Sequence, residues 1–318
     1  MKTRVLTEVS GTGLLPETRL RFWGVRGSIA SPGPTTVGYG GNTSCVEVRT
    51  GGEIIVLDAG TGARPLGAAL IEEKKGAPLE VTFLITHTHW DHIQGFPFFA
   101  PAYEAGNRVR IFGYEGARAG LGATLTGQME SPYFPIPLAD LPAEIVIEEL
   151  KTMEFSVGKM RVEACLANHP GKCVGYKLHT ANGAIVYLPD HETCSPSAVP
   201  ANAAAHSAQE QIAAFVRDAE VLIIDSQYTA QEYAAHINWG HGCIDDVVRL
   251  AVGAQVRRLY TFHHDPAHDD AAITAMVASA RRLAESLGST VKIEAAREGD
   301  ELVLDGAGAA AADRVAVR

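Results

Sequence analysis

Cysteine is scarce in this sequence: five in 318 residues (Cys45, Cys165, Cys173, Cys194 and Cys243), widely spaced and with no C-x-x-C pair. An odd, scattered set argues against both a disulfide framework and a zinc ribbon, and reads as small half-buried residues in a reducing compartment. No apolar run is long enough to cross a bilayer. The stretch from Met1 to Leu20 mixes charges with glycine and proline and lacks a secretory h-region. A cytoplasmic protein with no membrane association is expected. Positive charge is also short, with 27 Lys and Arg against 37 Asp and Glu, a net charge of −10. Binding a long polyanion needs Lys or Arg to displace counterions, so a nucleic-acid partner is not expected. A local basic pocket stays open.

What is present is enough apolar sequence, 46%, to bury a sizeable core. No internal repeat stands out. Short β-rich runs fall at 19–25, 43–48, 54–57, 81–86, 108–112, 145–147, 161–166, 174–178 and 184–188, most bounded by Gly, Pro or Asn. Helical patterns occupy 63–75, 117–128, 204–219, 245–252 and 269–287, with further strands at 221–225 and 258–262. Strands dominate first, then strands and helices interleave, and this happens twice. Two sheets packed face to face with helices outside, a four-layer αββα sandwich of the α/β (α+β) class, are predicted. Residues 1–305 form one domain in this reading, and 306–318 are an Ala/Gly-rich tail. The proline-rich stretch 127–142 is predicted to be a long irregular loop such as a lid.

The chemistry concentrates after the apolar run 81–86, in His87-Thr88-His89-Trp90-Asp91-His92. In an extended segment residues two apart point the same way, so His87 and His89 can share one ion. A helix starting near Asp91 turns Asp91 and His92 toward a neighbouring ion. Imidazoles with a carboxylate suit zinc first, with manganese or iron also acceptable. One motif cannot close two sites. His169, Asp190 and the pair His263-His264 each follow a strand-like run, where sheet-based sites take their ligands. A one-residue step on a strand reverses the face, so only one of His263 and His264 should reach the metal.

Taken together, H-x-H-x-D-H followed by His169, Asp190 and His263 resembles the metallo-β-lactamase superfamily, in order and over most of the chain. That resemblance implies His87, His89 and His169 on a first metal, Asp91, His92 and His263 on a second, and Asp190 bridging them. Within the superfamily the sequence is most similar to the phosphodiesterase-like branch, which includes the tRNA 3′-processing endonucleases and cyclic phosphodiesterases. Gly41-Asn42-Thr43-Ser44-Cys45, Leu57-Asp58-Ala59-Gly60-Thr61-Gly62, Gly175-Tyr176 and Gly240-His241 resemble segments of those enzymes. Asp225 occupies the place of the acid in their His-Glu-Ala-Thr motif, with Ile224 where the histidine would stand, and no long basic, Gly-rich arm is present. His263 matches the family position better than His264.

The implied activity is that of a dinuclear metal-dependent hydrolase, most simply a phosphodiesterase acting on a small substrate such as a cyclic nucleotide, with a metal-bridging hydroxide as nucleophile. A lactone, thioester or β-lactam hydrolase, or a tRNA 3′-processing-like nuclease, is the alternative, because fold does not fix substrate. A homodimer is compatible with this reading. Asp91 is counted with the catalytic groups. His241 is the candidate for protonating the leaving alkoxide or orienting phosphate, against a surface-loop histidine. Asp225 holds His241 or a ligand, against simple capping. Asp58 orients a ligand imidazole or forms a turn before Gly60. Arg26 binds phosphate or is an ordinary surface arginine. Tyr133 and Phe134 stack on a nucleobase or pack the proline-rich loop. His179, His206, His236 and His268 lack motif support as ligands.

Overall fold

Uninterrupted apolar runs such as Phe83–Ile85 and Val221–Ile224 belong to strands buried on both faces, and the computed structural model places them so. It describes residues 17–114, 120–193 and 203–304. In chain order β1 (Thr18–Gly24), β2 (Cys45–Thr50), β3 (Glu53–Leu57), β4 (Glu80–Ile85), β5 (Arg108–Gly113) and β6 (Glu144–Glu149) build a first sheet. Then β7 (Glu154–Val157), β8 (Met160–Leu166), β9 (Val174–Thr180), β10 (Gly183–Leu188), β11 (Val221–Asp225), β12 (Arg258–Phe262) and β13 (Lys292–Ala295) build a second. The last strand, β14 (Glu301–Leu304), returns to the first sheet beside β1.

The two sheets share a plan. β1, β2 and β3 pair antiparallel, and β3 to β6 run parallel. β7 to β10 pair antiparallel, and β10 to β13 run parallel. Parallel neighbours need crossovers, supplied by α1 (Ala63–Lys74), α3 (Gly120–Gln128), α4 (Ala203–Val216), α6 (Ile244–Gly253) and α7 (Asp270–Ser286). Two one-turn helices, α2 (Trp90–Ile93) and α5 (Ala230–Tyr233), lie in the loops after β4 and β11. Among the described residues no helix is long and apolar enough to cross a membrane.

Alternation along each strand sorts side chains into separate cores. Leu57, Leu84, Ile185, Tyr187 and Ile223 meet between the sheets, while Val56, Phe83 and Ile85 face α1 and α3. Val186, Leu188, Leu222 and Ile224 face α4, α6 and α7. Three apolar interfaces make four layers, the predicted αββα sandwich.

The strands β7, β13 and β14 were not predicted. Each is four residues long, and in β13 (Lys-Ile-Glu-Ala) and β14 (Glu-Leu-Val-Leu) charge interrupts the apolar signal. All three close a sheet edge, where charge is an advantage. The stretch 127–142 is irregular as predicted, apart from the end of α3 and one 3₁₀ turn at Leu138–Asp140. The tail 306–318 lies outside the described residues.

Phe83 makes edge-on contacts with Phe96 and Phe99 at 6.0 and 5.0 Å in the outer core of the first sheet. Phe83→Ala is expected to lower unfolding free energy by about 3–5 kcal/mol in urea denaturation. Val37→Ala, at a residue 77% exposed, is expected to stay within about 0.5 kcal/mol. Equal effects would refute this packing.

Candidate metal centre

Parallel strands deliver their C-terminal ends to one edge of a sheet, and here the two sheets deliver theirs to the same place. His87 lies two residues past β4, Asp190 two past β10, and His263 directly after β12. His169 sits in the β8–β9 loop, which is tied to the loop after β10 by Glu192 N–H donating to Asn168 O (2.8 Å) and Asn168 N–H donating to His191 Nδ1 (3.0 Å). His89 caps α2, whose first turn holds Asp91 and His92.

Two ligand groups result. His87, His89, His169 and Asp190 form one, and Asp91, His92 and His263 the other, with donor atoms inside each group all within 4.8 Å of one another. Asp190 serves both. Its Oδ2 lies 3.6 Å from His87 Nε2 and 3.7 Å from His169 Nε2, while its Oδ1 lies 2.9 Å from His92 Nε2 and 3.3 Å from His263 Nε2. His89 Nδ1 is 3.3 Å from His169 Nε2, and Asp91 Oδ2 is 3.2 Å from His92 Nε2 and 3.1 Å from His263 Nε2. Donors on one tetrahedral zinc-sized ion stand about 3.3 Å apart, so the spacing fits. The chemistry fits as well: His87 Nε2, His92 Nε2 and Asp190 Oδ1 are buried without a hydrogen-bond partner. Such orphans are costly unless a cation takes them.

The titration behaviour agrees with a cation site. Burial pushes His87, His89 and His169 down, leaving them neutral as ligands must be. Burial works against ionising Asp91 and Asp190, yet the surrounding imidazoles hold both carboxyls well below the usual range. His92 is the converse: burial opposes its charge, but Asp91, Asp190 and Asp58 outweigh it and hold it well above an ordinary histidine.

Three of the ligand rings, those of His92, His263 and His169, are fixed from behind. Asp58 accepts hydrogen bonds from His92 Nδ1 (2.8 Å), Thr86 N (2.7 Å) and Tyr187 Oη (2.9 Å), joining the two sheets under the centre. It therefore both orients an imidazole and makes the turn, at φ 61°. Gln227 Oε1 accepts from His263 Nδ1 (3.0 Å), and Gln227 Nε2 donates to Asp265 (2.9 Å), which sets the amide's direction. His169 Nδ1 donates to Gly240 O (3.0 Å). Two glycines are required by proximity, since a Cβ on Gly27 or Gly240 would stand 2.3 Å from His263 Nδ1 or His169 Nδ1. Ser28, also left-handed at φ 61°, donates its N–H to Asp91 Oδ2 (2.8 Å).

The remaining expectations divide. His263, kinked at φ 59°, turns into the centre, whereas His264 turns away and its Nε2 donates to Ala296 O (2.9 Å). Burial pushes His264 down to about 3, so it is neutral. His241 Nδ1 bonds Asp225 Oδ2 at 2.7 Å, and its ring stacks on His263 at 4.9 Å. Burial opposes the His241 charge, but Asp225 raises it to about 9. Asp190, His241 and His263 also group closely enough to share an ion.

Arg26 must be corrected: it is neither a phosphate ligand nor a surface residue. It is fully buried, and its guanidinium donates to Gly40 O, Asp265 O and His268 O, fastening one loop to another. A charge in the sequence carries no direction. Tyr133 and Phe134 do not line the cleft. Tyr133 is 80% exposed, and Phe134 packs edge-on against Phe98 at 5.5 Å. His179 and His268 pair with Glu163 and Glu232, His236 stacks on Tyr228, and the side chain of His206 lies outside the described residues.

Several supports were not anticipated. Gln227 and Tyr187 gave no sequence signal beyond standing near strand ends. Glu192, two residues after Asp190, accepts from Tyr233 Oη, Asn238 N and Gly240 N and so holds the loop that carries His241. Its place beside a ligand could have flagged it. The open cleft, about 450 Å³, is lined by Ser28, Thr88, His89, Trp90, Asp91, Asp190, His241 and His263.

Asp58→Asn keeps the shape and removes the charge behind His92. It is expected to weaken divalent-metal retention about 10–100-fold in a chelator competition. Unchanged retention would mean that Asp58 only shapes the turn.

Comparison with known proteins agrees with this geometry. The chain is 22% identical over 292 residues to ribonuclease Z of Thermoplasma acidophilum, covering 80% of this chain and 89% of that protein. Its fold matches the metallo-beta-lactamase fold protein YhfI from Bacillus subtilis (TM-score 0.62, 15% identity, 91% of this chain and 99% of that one). It also matches yeast PDE1 (TM-score 0.62, 16% identity, 91% and 100%). The pattern of the beta-lactamase superfamily domain matches residues 54–264, a span that includes both ligand groups, and the chain belongs to that superfamily of metal-dependent hydrolases.

Proposed function

We propose that the protein is a dinuclear, zinc-dependent phosphodiesterase acting on a small phosphodiester such as a cyclic nucleotide. The observation that carries this reading is the Asp225–His241 pair at the edge of the cleft, beside the bridging Asp190. Bound divalent ions would supply an activated water and neutralise charge on the phosphoryl oxygens. A buried carboxylate partner sets His241 apart from a surface-loop histidine, since Asp225 fixes Nδ1 as a donor and leaves Nε2 as the other nitrogen. A protonated His241 then gives its proton to the departing alkoxide oxygen as the P–O bond breaks, and Asp225 stabilises the ring throughout. Gly240 and Glu192 keep that loop in place against His169.

A carbon-centred hydrolase is the second reading. What favours it is that among the described residues no Lys or Arg lines the cleft and that Arg26 faces away. The similarity to ribonuclease Z favours a nuclease, against which stands the net charge of −10.

The test uses metal-loaded protein with bis-p-nitrophenyl phosphate, a cyclic nucleotide, nitrocefin and a lactone panel. Cleavage of both phosphodiesters, lost in Asp91→Ala, is expected. His241→Ala is expected to lower kcat on the cyclic nucleotide about 10²–10⁴-fold, and far less on the nitrophenyl ester, whose leaving group needs no proton. Hydrolysis of lactones with neither phosphodiester cleaved would refute the proposal.

A further inference from the structure

Between the ligands His89 and Asp91 the chain places an indole, Trp90, and leaves it 77% exposed. Its backbone is held in place by its neighbours. His89 caps α2, Asp91 and His92 are buried within the centre, and Gln94 N–H closes the turn on Trp90 O at 2.8 Å. The helix is pressed onto the β3–α1 turn by Ala59 N–H donating to His92 O (2.8 Å) and Gly95 N–H donating to Ala59 O (2.9 Å). Among the described residues, no other aromatic ring packs against this indole. Yet it lines the cleft together with His89, Asp91, Asp190 and His241. A rigid anchor carrying a large bare aromatic surface at the mouth of a site is suited to a flat partner.

The rest of the lining narrows what that partner is. Among the described residues it contains no Lys or Arg, so beyond the cation centre and His241 this lining has little with which to hold additional negative charge. Affinity for the part of a substrate away from the reacting phosphate must come from an uncharged contact. Stacking on an exposed aromatic is such a contact, and it tolerates any base.

We propose that Trp90 is the platform on which the planar base of a nucleoside phosphodiester stacks, making it the residue that selects nucleotide over sugar phosphate. This rests on the phosphodiesterase reading above. It also moves the stacking role from Tyr133 and Phe134, which lie outside the cleft lining, to a residue inside the ligand motif.

The test compares binding of AMP, ribose 5-phosphate and inorganic phosphate to the zinc-loaded full chain, by calorimetry and by quenching of tryptophan fluorescence. AMP and ribose 5-phosphate differ by the base, so the ratio of their affinities isolates the stacking. In the wild type AMP is expected to bind about 5–100-fold more tightly than ribose 5-phosphate, with quenching by AMP only. Trp90→Ala should bring that ratio close to one and remove the quenching, and Trp90→Phe should keep most of the ratio. Trp239, 59% exposed on the loop before His241 but outside the cleft lining, serves as the comparison. Trp239→Ala should leave the ratio as in the wild type.

A wild-type ratio near one, with phosphate and ribose 5-phosphate both bound, would overturn the role of Trp90 and leave the phosphodiesterase reading standing. So would an unchanged ratio in Trp90→Ala accompanied by a shift from dimer to monomer in sedimentation, which would make the indole a subunit contact. Failure of all three ligands to bind would remove the phosphodiesterase reading and this inference together.

Discussion

One carboxylate sits between two groups of imidazoles, and the position of Asp190 constrains nearly everything around it. Its two oxygens are divided, Oδ2 toward His87 and His169 and Oδ1 toward His92 and His263. Burying that carboxylate costs several kcal/mol unless positive charge compensates it. The fold must therefore bring β4, β8, β10 and β12, drawn from both sheets, to one edge. The sandwich does so because the parallel strands of each half deliver their C-terminal ends to the same rim.

Holding so many ionisable groups together requires strain and bracing elsewhere. Asp58, Ser28 and His263 are non-glycine residues in the left-handed region, each costing about 1–3 kcal/mol. All three touch the centre, and each is held by bonds that cross the structure. Asp58 is gripped by Tyr187 from the opposite sheet, Ser28 by Asp91, and His263 by Gln227, itself held by Asp265. The buried fork of Arg26 ties the loop that bears Ser28 to the loop after His264. A residue that looked like a substrate contact is better understood as a fastener for the strained loops.

This explains what could be read from the sequence. The long strands were legible because burial on both faces leaves a continuous apolar run, as in Val221–Ile224. The ligand motif was legible because strand and helix periodicity place His87, His89, Asp91 and His92 without any long-range information. The edge strands β13 and β14 were not, because segments of four residues that carry charge are too short for their alternation to stand out from a loop. The choice between His263 and His264 rested on family position alone: the strand rule allows only one to face the metal, and the left-handed turn at His263 aims its ring at the metal in a way strand alternation does not describe. Arg26, Gln227 and Glu192 depend on which loop lies opposite, and no local pattern encodes that.

The cleft itself separates the chemistry from the choice of substrate. The two groups of candidate ligands offer charge and fixed geometry, which any ester or phosphodiester with an accessible oxygen could use. None of them distinguishes one leaving group from another by shape. Selectivity must come from the residues that line the opening without belonging to the ligand groups, and among the described residues these include Ser28, Thr88 and Trp90 but no arginine. With a net charge of −10, the protein as a whole repels polyanions rather than collecting them. A substrate with one phosphodiester charge meets only the local field of the cation centre, whereas a long nucleic acid meets the whole surface. An acidic exterior disfavours polyanions, and among the described residues no Lys or Arg lines the cleft to offset it.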